Sequence, residues 1–361
     1  MKMRNLIKTF IVVIVICIIF SACYESEPII IGGKTRIFKL QDTITFYSDT
    51  LTLYGENLGK ATNLSYIVIN DIDTIKSDNC INWTQSKIQF VVPSLPLKST
   101  IYVVVADKKI YYDAQNYYQN LIVLPYPAFD YVLIPVGSFD MGSDEFGIPN
   151  EQPIHNVMLT KDIYVSTCEV NQRLYSLIMQ ENPSTIKYNN YPVYNVSWLD
   201  AIRFCNKLSL LDGLKPVYEI INSTNYVSFD IDANGWRLPT EAEWEYFADI
   251  SVDNEKQLLE YAWFYTNSTL NPHSVGKLKA NKYSLYDILG NVWEWCWDYY
   301  REDYYSISPL VNPTGPTESI GAGRVIRGGS CDDGKILVRK EYRTTNKSNE
   351  KIGFRIVKNS G

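Results

Sequence analysis

Pro125-Tyr126-Pro127 sets the first limit on how this chain folds. Two prolines in three residues hold the backbone extended and remove two amide donors, so neither a helix nor a central strand runs through them. The patterns on the two sides differ. Before the break, the runs 43–46, 50–54, 66–69, 87–92 and 101–105 are strand-length and rich in β-branched and aromatic residues. Gly55-Glu56-Asn57-Leu58-Gly59 and Pro93-Ser94-Leu95-Pro96 punctuate them with turn residues. Short strands with no helical periodicity predict an all-β sandwich over 28–124. Residues 125–129 then read as a linker and 130–361 as a second domain, an ordinary division for 361 residues.

Beyond the linker, helical signals appear. Ser197 is placed to cap a helix whose apolar face carries Ala201, Phe204, Cys205 and Leu208, at spacings of three and four. Thr240-Glu241-Ala242-Glu243 reads as a capping box ahead of a stripe of Trp244, Phe247 and Ala248. Asn171 begins a third helix, burying Leu174, Tyr175 and Ile178. The rest is rich in Gly, Asn, Asp and aromatic residues, a composition that predicts long loops wrapped on tryptophans.

The start of the chain carries a different signal. Lys2, Arg4 and Lys8 precede the uncharged run 9–20 and then Phe20-Ser21-Ala22-Cys23. That is the layout of a secretory signal: a basic start, a core well short of the ~20 residues a membrane span needs, and small residues before the cut. The ending resembles the bacterial lipobox, which implies cleavage after residue 22, a lipid on Cys23 and a short tether over 23–27. Glu25 and Glu27 resemble a surface-export signal. The expected location is the bacterial outer membrane, with the chain held through the Cys23 lipid.

Removing that signal takes away three basic residues and no acidic one, so the formal charge moves from -6 to -9. A chain this acidic is not expected to bind nucleic acid. Of the 7 cysteines, Cys17 leaves with the signal and Cys23 is lipidated. Cys80, Cys168, Cys205, Cys296 and Cys331 remain, with no C-x-x-C spacing. With 2 histidines, His155 and His273, a histidine-rich metal centre has almost no ligands.

Two family resemblances add to this reading. Asp49-Thr50-Leu51-Thr52-Leu53-Tyr54-Gly55-Glu56-Asn57-Leu58-Gly59, followed by Trp83-Thr84-Gln85-Ser86-Lys87-Ile88-Gln89-Phe90-Val91-Val92-Pro93, resembles the IPT/TIG immunoglobulin-like domains. Such domains are usually spacers or binding modules.

The second resemblance spans 130–357. Ile134-Pro135-Val136-Gly137-Ser138-Phe139-Asp140-Met141-Gly142-Ser143, Pro153-Ile154-His155-Asn156-Val157 with Glu169-Val170-Asn171, and Pro192-Val193-Tyr194-Asn195-Val196-Ser197-Trp198 come first. Trp236-Arg237-Leu238-Pro239-Thr240-Glu241-Ala242-Glu243-Trp244-Glu245-Tyr246, Gly290-Asn291-Val292-Trp293-Glu294-Trp295, Arg327-Gly328-Gly329-Ser330 and Gly353-Phe354-Arg355 follow. Together they resemble the formylglycine-generating enzyme, or sulfatase-modifying factor, family. The implied fold is an irregular α+β variant of the C-type-lectin-like fold.

Family oxidases hold Cu(I) on two cysteines, three and eight positions after the serine of Arg-Gly-Gly-Ser. Here those positions are Asp333 and Val338. A carboxylate is a hard donor and valine donates nothing, so no copper is expected and no catalytic residue is assigned. Cys331 lies at another offset and reads as a small buried apolar residue. The family also binds Ca²⁺ through a side-chain oxygen, two carbonyls and a glutamate. The matching positions are Asp287, the carbonyls of Gly290 and Val292, and the carboxylate of Glu294. Pairing of Glu294 with an arginine is the alternative.

The functional expectation is a cell-envelope lipoprotein whose second domain binds an envelope protein or glycan, or is structural, without catalysis. The competing expectations are a formylglycine-type oxidase acting on cysteine of exported sulfatases, and a calcium-dependent glycan binder with Tyr299, Tyr300, Tyr304 and Tyr305 as its surface.

Overall fold

The computed structural model divides into two units after Ala128. In the first, the described residues are the strands named below with Leu58, Ser65 and 73–91; in the second they are 129–360 without 222–225, 251, 253 and 346–350. The signal segment, Cys23 and the tether lie outside the described residues.

The first unit is all β. One antiparallel sheet runs in the order Arg36–Leu40, Thr50–Glu56, Lys87–Val91, Cys80–Trp83. Another runs Lys108–Tyr111, Ile101–Val105, Tyr66–Ile69, Asp73–Lys76. Ile44–Phe46, Leu121–Leu124 and Lys98–Ser99 form a three-stranded sheet. Alternation explains the core: Leu51 and Leu53 point inward from one strand, as do Ile88 and Phe90 from the next, and all four are buried. Each expected strand is present within two residues, while six others, among them Asp73–Lys76 and Cys80–Trp83, are present without having been expected. Asp73–Lys76 has a single apolar residue, and in Cys80–Trp83 Ile81 is exposed and the register shifts, so neither shows the alternation of a half-buried strand.

In the second unit three helices begin where their caps predict. In α1 (Gln172–Met179) Asn171 Oδ1 accepts from Leu174 N at 2.9 Å. In α2 (Trp198–Leu211) Ser197 Oγ accepts from Asp200 N at 3.0 Å. In α3 (Glu241–Phe247) the capping box is complete: Thr240 Oγ1 accepts from Glu243 N at 3.2 Å, and Glu243 Oε2 accepts from Thr240 N at 2.8 Å. Each such cap contributes about 1 kcal/mol by satisfying amides that the first turn leaves open. A fourth helix, α4 (Glu255–Tyr261), was not foreseen; it buries only Leu258 and so has no periodic apolar stripe.

The sheets of this unit are small and separate. Tyr131–Ile134, Ile163–Ser166 and Val357–Asn359 form one; Gly137–Met141 pairs with His155–Leu159, and Tyr218–Ile221 with Tyr226–Phe229. The largest has the order Arg343–Thr345, Arg324–Arg327, Trp293–Tyr299, Ile352–Gly353. The apolar core gathers Trp244, Phe247, Phe264, Leu285, Leu289, Cys296 and Val338.

Charge inside this core ties α3 to the largest sheet. Arg343 donates to Glu241 from Nε at 2.6 Å and from Nη2 at 2.8 Å, while Arg327 donates to Glu241 at 2.9 Å and to Glu245 at 2.6 Å. All four side chains are buried. Burial alone would push the Glu241 carboxyl up, but Arg343 and Arg327 outweigh it and hold it below its usual range. Burial wins at Glu245, which shares only Arg327 and is pushed up to about 7. The mixed α+β unit thus depends on paired buried charges as well as on apolar packing.

Candidate functional site

The loop 286–292 carries Asp287, Gly290 and Val292, three of the four positions expected to hold a cation, while Glu294 stands in the strand that follows; the loop's backbone explains why the sequence turns there. Asp287 has φ 52°, Gly290 φ 77° and Asn291 φ 57°, three left-handed residues in one short segment. At Gly290 a Cβ would sit 2.2 Å from the Trp263 carbonyl oxygen, so only glycine permits that close backbone approach. The chain is pinned by Gly290 N donating to Gly328 O at 2.9 Å and Asn291 N to Trp263 O at 2.7 Å.

The two expected carboxylates have different surroundings. Glu294 is wholly buried and already engaged: Arg355 Nε lies 2.8 and 2.7 Å from its two oxygens, Arg355 Nη2 reaches one at 2.6 Å, and Trp244 Nε1 donates at 2.6 Å. This is the arginine pairing held as the alternative. Asp287, also buried, accepts from Gly276 N through Oδ2 at 2.6 Å, and its Oδ1 has no partner. Beside it lies a residue that sequence reasoning quoted only as part of a motif, Glu169. It is buried, and neither of its carboxylate oxygens has a partner.

Burial, then the Asp287 and Glu294 charges, pushes the Glu169 carboxyl well above the usual range; burial raises Asp287 to about 6. Three carboxylates therefore share one guanidinium, and three of their oxygens are unsatisfied. A buried acid in that state must hold a proton or face a cation. The orphaned oxygens of Asp287 and Glu169 suit a hard divalent ion, whereas those of Glu294 are taken. Among the described residues no three side chains from His, Cys, Asp and Glu gather as a metal-binding set. A cation here would draw on backbone carbonyls as well.

The two positions after the Arg-Gly-Gly-Ser segment have structural surroundings. Asp333 Oδ2 accepts from Ser330 N at 2.9 Å and from Ser330 Oγ at 2.6 Å, closing a turn. Val338 is buried in the core, and its Cγ2 lies 2.8 Å from where a Cβ on Gly329 would stand. Cys331 is buried, and burial with the neighbouring Asp332 pushes its thiol far above the usual range. Cys80, Cys168, Cys205, Cys296 and Cys331 are all free. The tyrosine surface needs correction. Tyr304 and Tyr305 are buried, and Tyr305 OH lies against Glu241 and Glu245, so only Tyr299 and Tyr300 of the four reach solvent.

Residues 125–360 match the sulfatase-modifying factor enzyme 1-like domain. The chaperone protein LppX of Paenibacillus barcinonensis is 31% identical over 208 residues, 47% of this chain and 72% of the relative. The formylglycine-generating enzyme of Streptomyces coelicolor is 31% identical over 196 residues, covering 46% of this chain and 52% of that enzyme. This chain therefore spans about half of that enzyme's length. Among solved structures, Treponema denticola variable protein 1 aligns with a TM-score of 0.58 and 31% identity, over 63% of this chain and 94% of that one.

Proposed function

Because this chain belongs to the sulfatase-modifying factor enzyme 1-like family, we propose that its second unit uses the family scaffold for binding, without oxidase chemistry, in a lipid-anchored protein of the cell envelope. The observation that carries this reading is the fate of the two positions where family oxidases bear thiolates. Asp333 spends its carboxylate on Ser330, and Val338 fills a core position. Neither offers a soft donor, so a bis-thiolate copper site has no basis here.

The partner is an envelope protein or a glycan. The likeness to a chaperone protein supports a macromolecular partner. The first unit serves as an IPT/TIG-like stalk, a reading supported by its all-β sheets, antiparallel apart from the parallel pairing of Leu121–Leu124 with Ile44–Phe46. We further propose that Ca²⁺ braces the loop 286–292, held by Asp287 and Glu169 with the carbonyls of Gly290 and Val292. Glu294 then supports the site through Arg355. The ion's part is structural: it neutralises buried carboxylates and stiffens the loop.

Incubation of the purified chain with a sulfatase-type cysteine peptide, Cu(I) and oxygen is expected to leave the peptide mass unchanged. Conversion of the cysteine to formylglycine, seen by mass spectrometry, would overturn the binding reading. The anchor has its own test. Cys23→Ala is expected to abolish labelling by a fatty-acid analogue in a lipoprotein-processing host, and equal labelling of the variant would remove the anchor.

A further inference from the structure

Five arginines of the second unit are buried: Arg237, Arg324, Arg327, Arg343 and Arg355. Four of them meet a carboxylate. Arg237 pairs with Glu243, Arg327 with Glu241 and Glu245, Arg343 with Glu241, and Arg355 with Glu294. Arg324 is the exception. Among the described residues no carboxylate lies within ion-pair distance of it, although it is only 8% exposed. Its Nη1 donates to the Trp297 carbonyl, and Tyr299, Asp298 and Tyr218 are its other polar neighbours. The nearest acid in sequence, Asp298, makes no ion pair with it and acts only at longer range: its carboxylate accepts from Glu241 N at 2.8 Å, and burial followed by the Glu241 charge pushes it up to about 8.

Aromatic rings take the place of the missing anion. The guanidinium carbon lies 3.5 Å from the Tyr299 ring centre, 3.7 Å from that of Trp198 and 4.7 Å from that of Trp297. Rings on its flat faces stabilise the cation but leave its N–H edge for another partner. The local fold builds this slot rigidly. Tyr299 stands directly across from Arg324 in the sheet, Trp198 is held by its Nε1 donating to Cys296 O at 3.0 Å, and Trp297 stacks on Phe229 at 4.1 Å. Trp198, Phe229, Trp297 and Tyr299 are all part-exposed. The nearby acid on α2, Asp200, is engaged by Arg203 and Ser197.

We propose that this slot is a binding subsite for a carboxylate-bearing sugar, a uronate unit of an acidic glycan. The planar guanidinium fork matches a carboxylate in two-point fashion, and the charge complements a cation that makes no ion pair among the described residues. The stacked, part-exposed rings of Phe229 and Trp297 offer a flat apolar face of the kind that the C–H side of a pyranose covers. Among the described apolar side chains of the hairpin and strands that form the slot, the one that is strongly exposed is Ile221, at the far end of the hairpin, so these residues offer a peptide few aliphatic anchors. The inference rests on the second unit being a binding domain and names its ligand class.

The test is calorimetric titration of the full chain with oligogalacturonate, oligomannuronate and a glucuronate-containing oligosaccharide, each beside its methyl ester. The ester removes the charge without touching the protein. At least one acid form is expected to bind, its ester roughly tenfold or more weakly, with Arg324→Gln and Phe229→Leu each reducing acid binding. Phe229→Leu covers the case in which Arg324→Gln does not fold. Equal binding of acid and ester, no binding of any uronate, or binding of polyglutamate in preference to the sugars would each overturn the proposal. Turnover of the cysteine peptide would instead overturn the binding-domain reading, so the two failures are separately visible.

Discussion

Glu241→Ala is expected to destabilise the second unit by about 3–5 kcal/mol, a large share of the roughly 5–15 kcal/mol that holds an ordinary domain folded. Glu241 is the hub of the buried network. Its two oxygens accept from Arg343 Nε and Nη2, and Arg327 Nη1 also reaches it. Removing the carboxylate strands Arg343, whose remaining partners are the carbonyls of Asn150 and Arg301. Tyr300 and Tyr305 flank that guanidinium at 5.0 and 4.5 Å, which helps a cation but does not neutralise it. Glu245→Gln should cost markedly less, because the Glu245 carboxyl is raised to about 7 and is part-protonated near neutral pH. Urea denaturation of the full chain followed by tryptophan fluorescence reads this unit, since of 8 tryptophans only Trp83 lies in the first. A Glu241→Ala loss under about 1 kcal/mol, or one no larger than that of Glu245→Gln, would show that the network is not the tie between α3 and the sheet.

Calcium carries the second large effect. If the orphaned oxygens of Asp287 and Glu169 face Ca²⁺, ion bound only to the native state stabilises by mass action, about 2.7 kcal/mol at a hundredfold excess over Kd. For a unit of this size that corresponds to a rise of roughly 5–10 °C in Tm. Chelation of the purified chain should lower Tm by that amount, and readdition of Ca²⁺ should restore it. Asp287→Asn combined with Glu169→Gln should melt at a temperature that chelator does not move, because the neutral amides remove both the buried charge and the demand for a cation. Glu294→Gln separates the roles: it should destabilise through the loss of the Arg355 pair even in chelator. A chain that melts identically with and without Ca²⁺, and holds no tightly bound calcium on elemental analysis, would leave Glu169 and Asp287 as carboxyls that keep their protons.

Much of the second unit was legible in its sequence because the signals are local. Asn171, Ser197 and Thr240 announced α1, α2 and α3, since a cap is a contract between a side chain and an amide three residues on. Gly290 was named for its carbonyl alone; that only glycine fits there emerged from its left-handed φ and the approach of the Trp263 carbonyl. Asp333 and Val338 could be judged as non-thiolates from position alone. What the sequence could not show was which partner each buried charge finds. Glu294 and Arg355 are 61 residues apart, Glu241 and Arg343 are 102 apart, and Glu169 comes to lie beside Asp287.

The chain's own order determined α1, α2 and α3 with their caps, the five strand-length runs of the first unit and the residues at the family's site. Only the tertiary structure decided that Glu294 is satisfied while Glu169 and Asp287 are not, that Tyr305 is buried, and that Arg324 alone of five buried arginines lacks a carboxylate. The physical reason is one of range. Helix caps and strand alternation depend on neighbours a few residues away, whereas the state of a buried charge depends on every group the fold brings within a few ångströms, whatever its place in the chain.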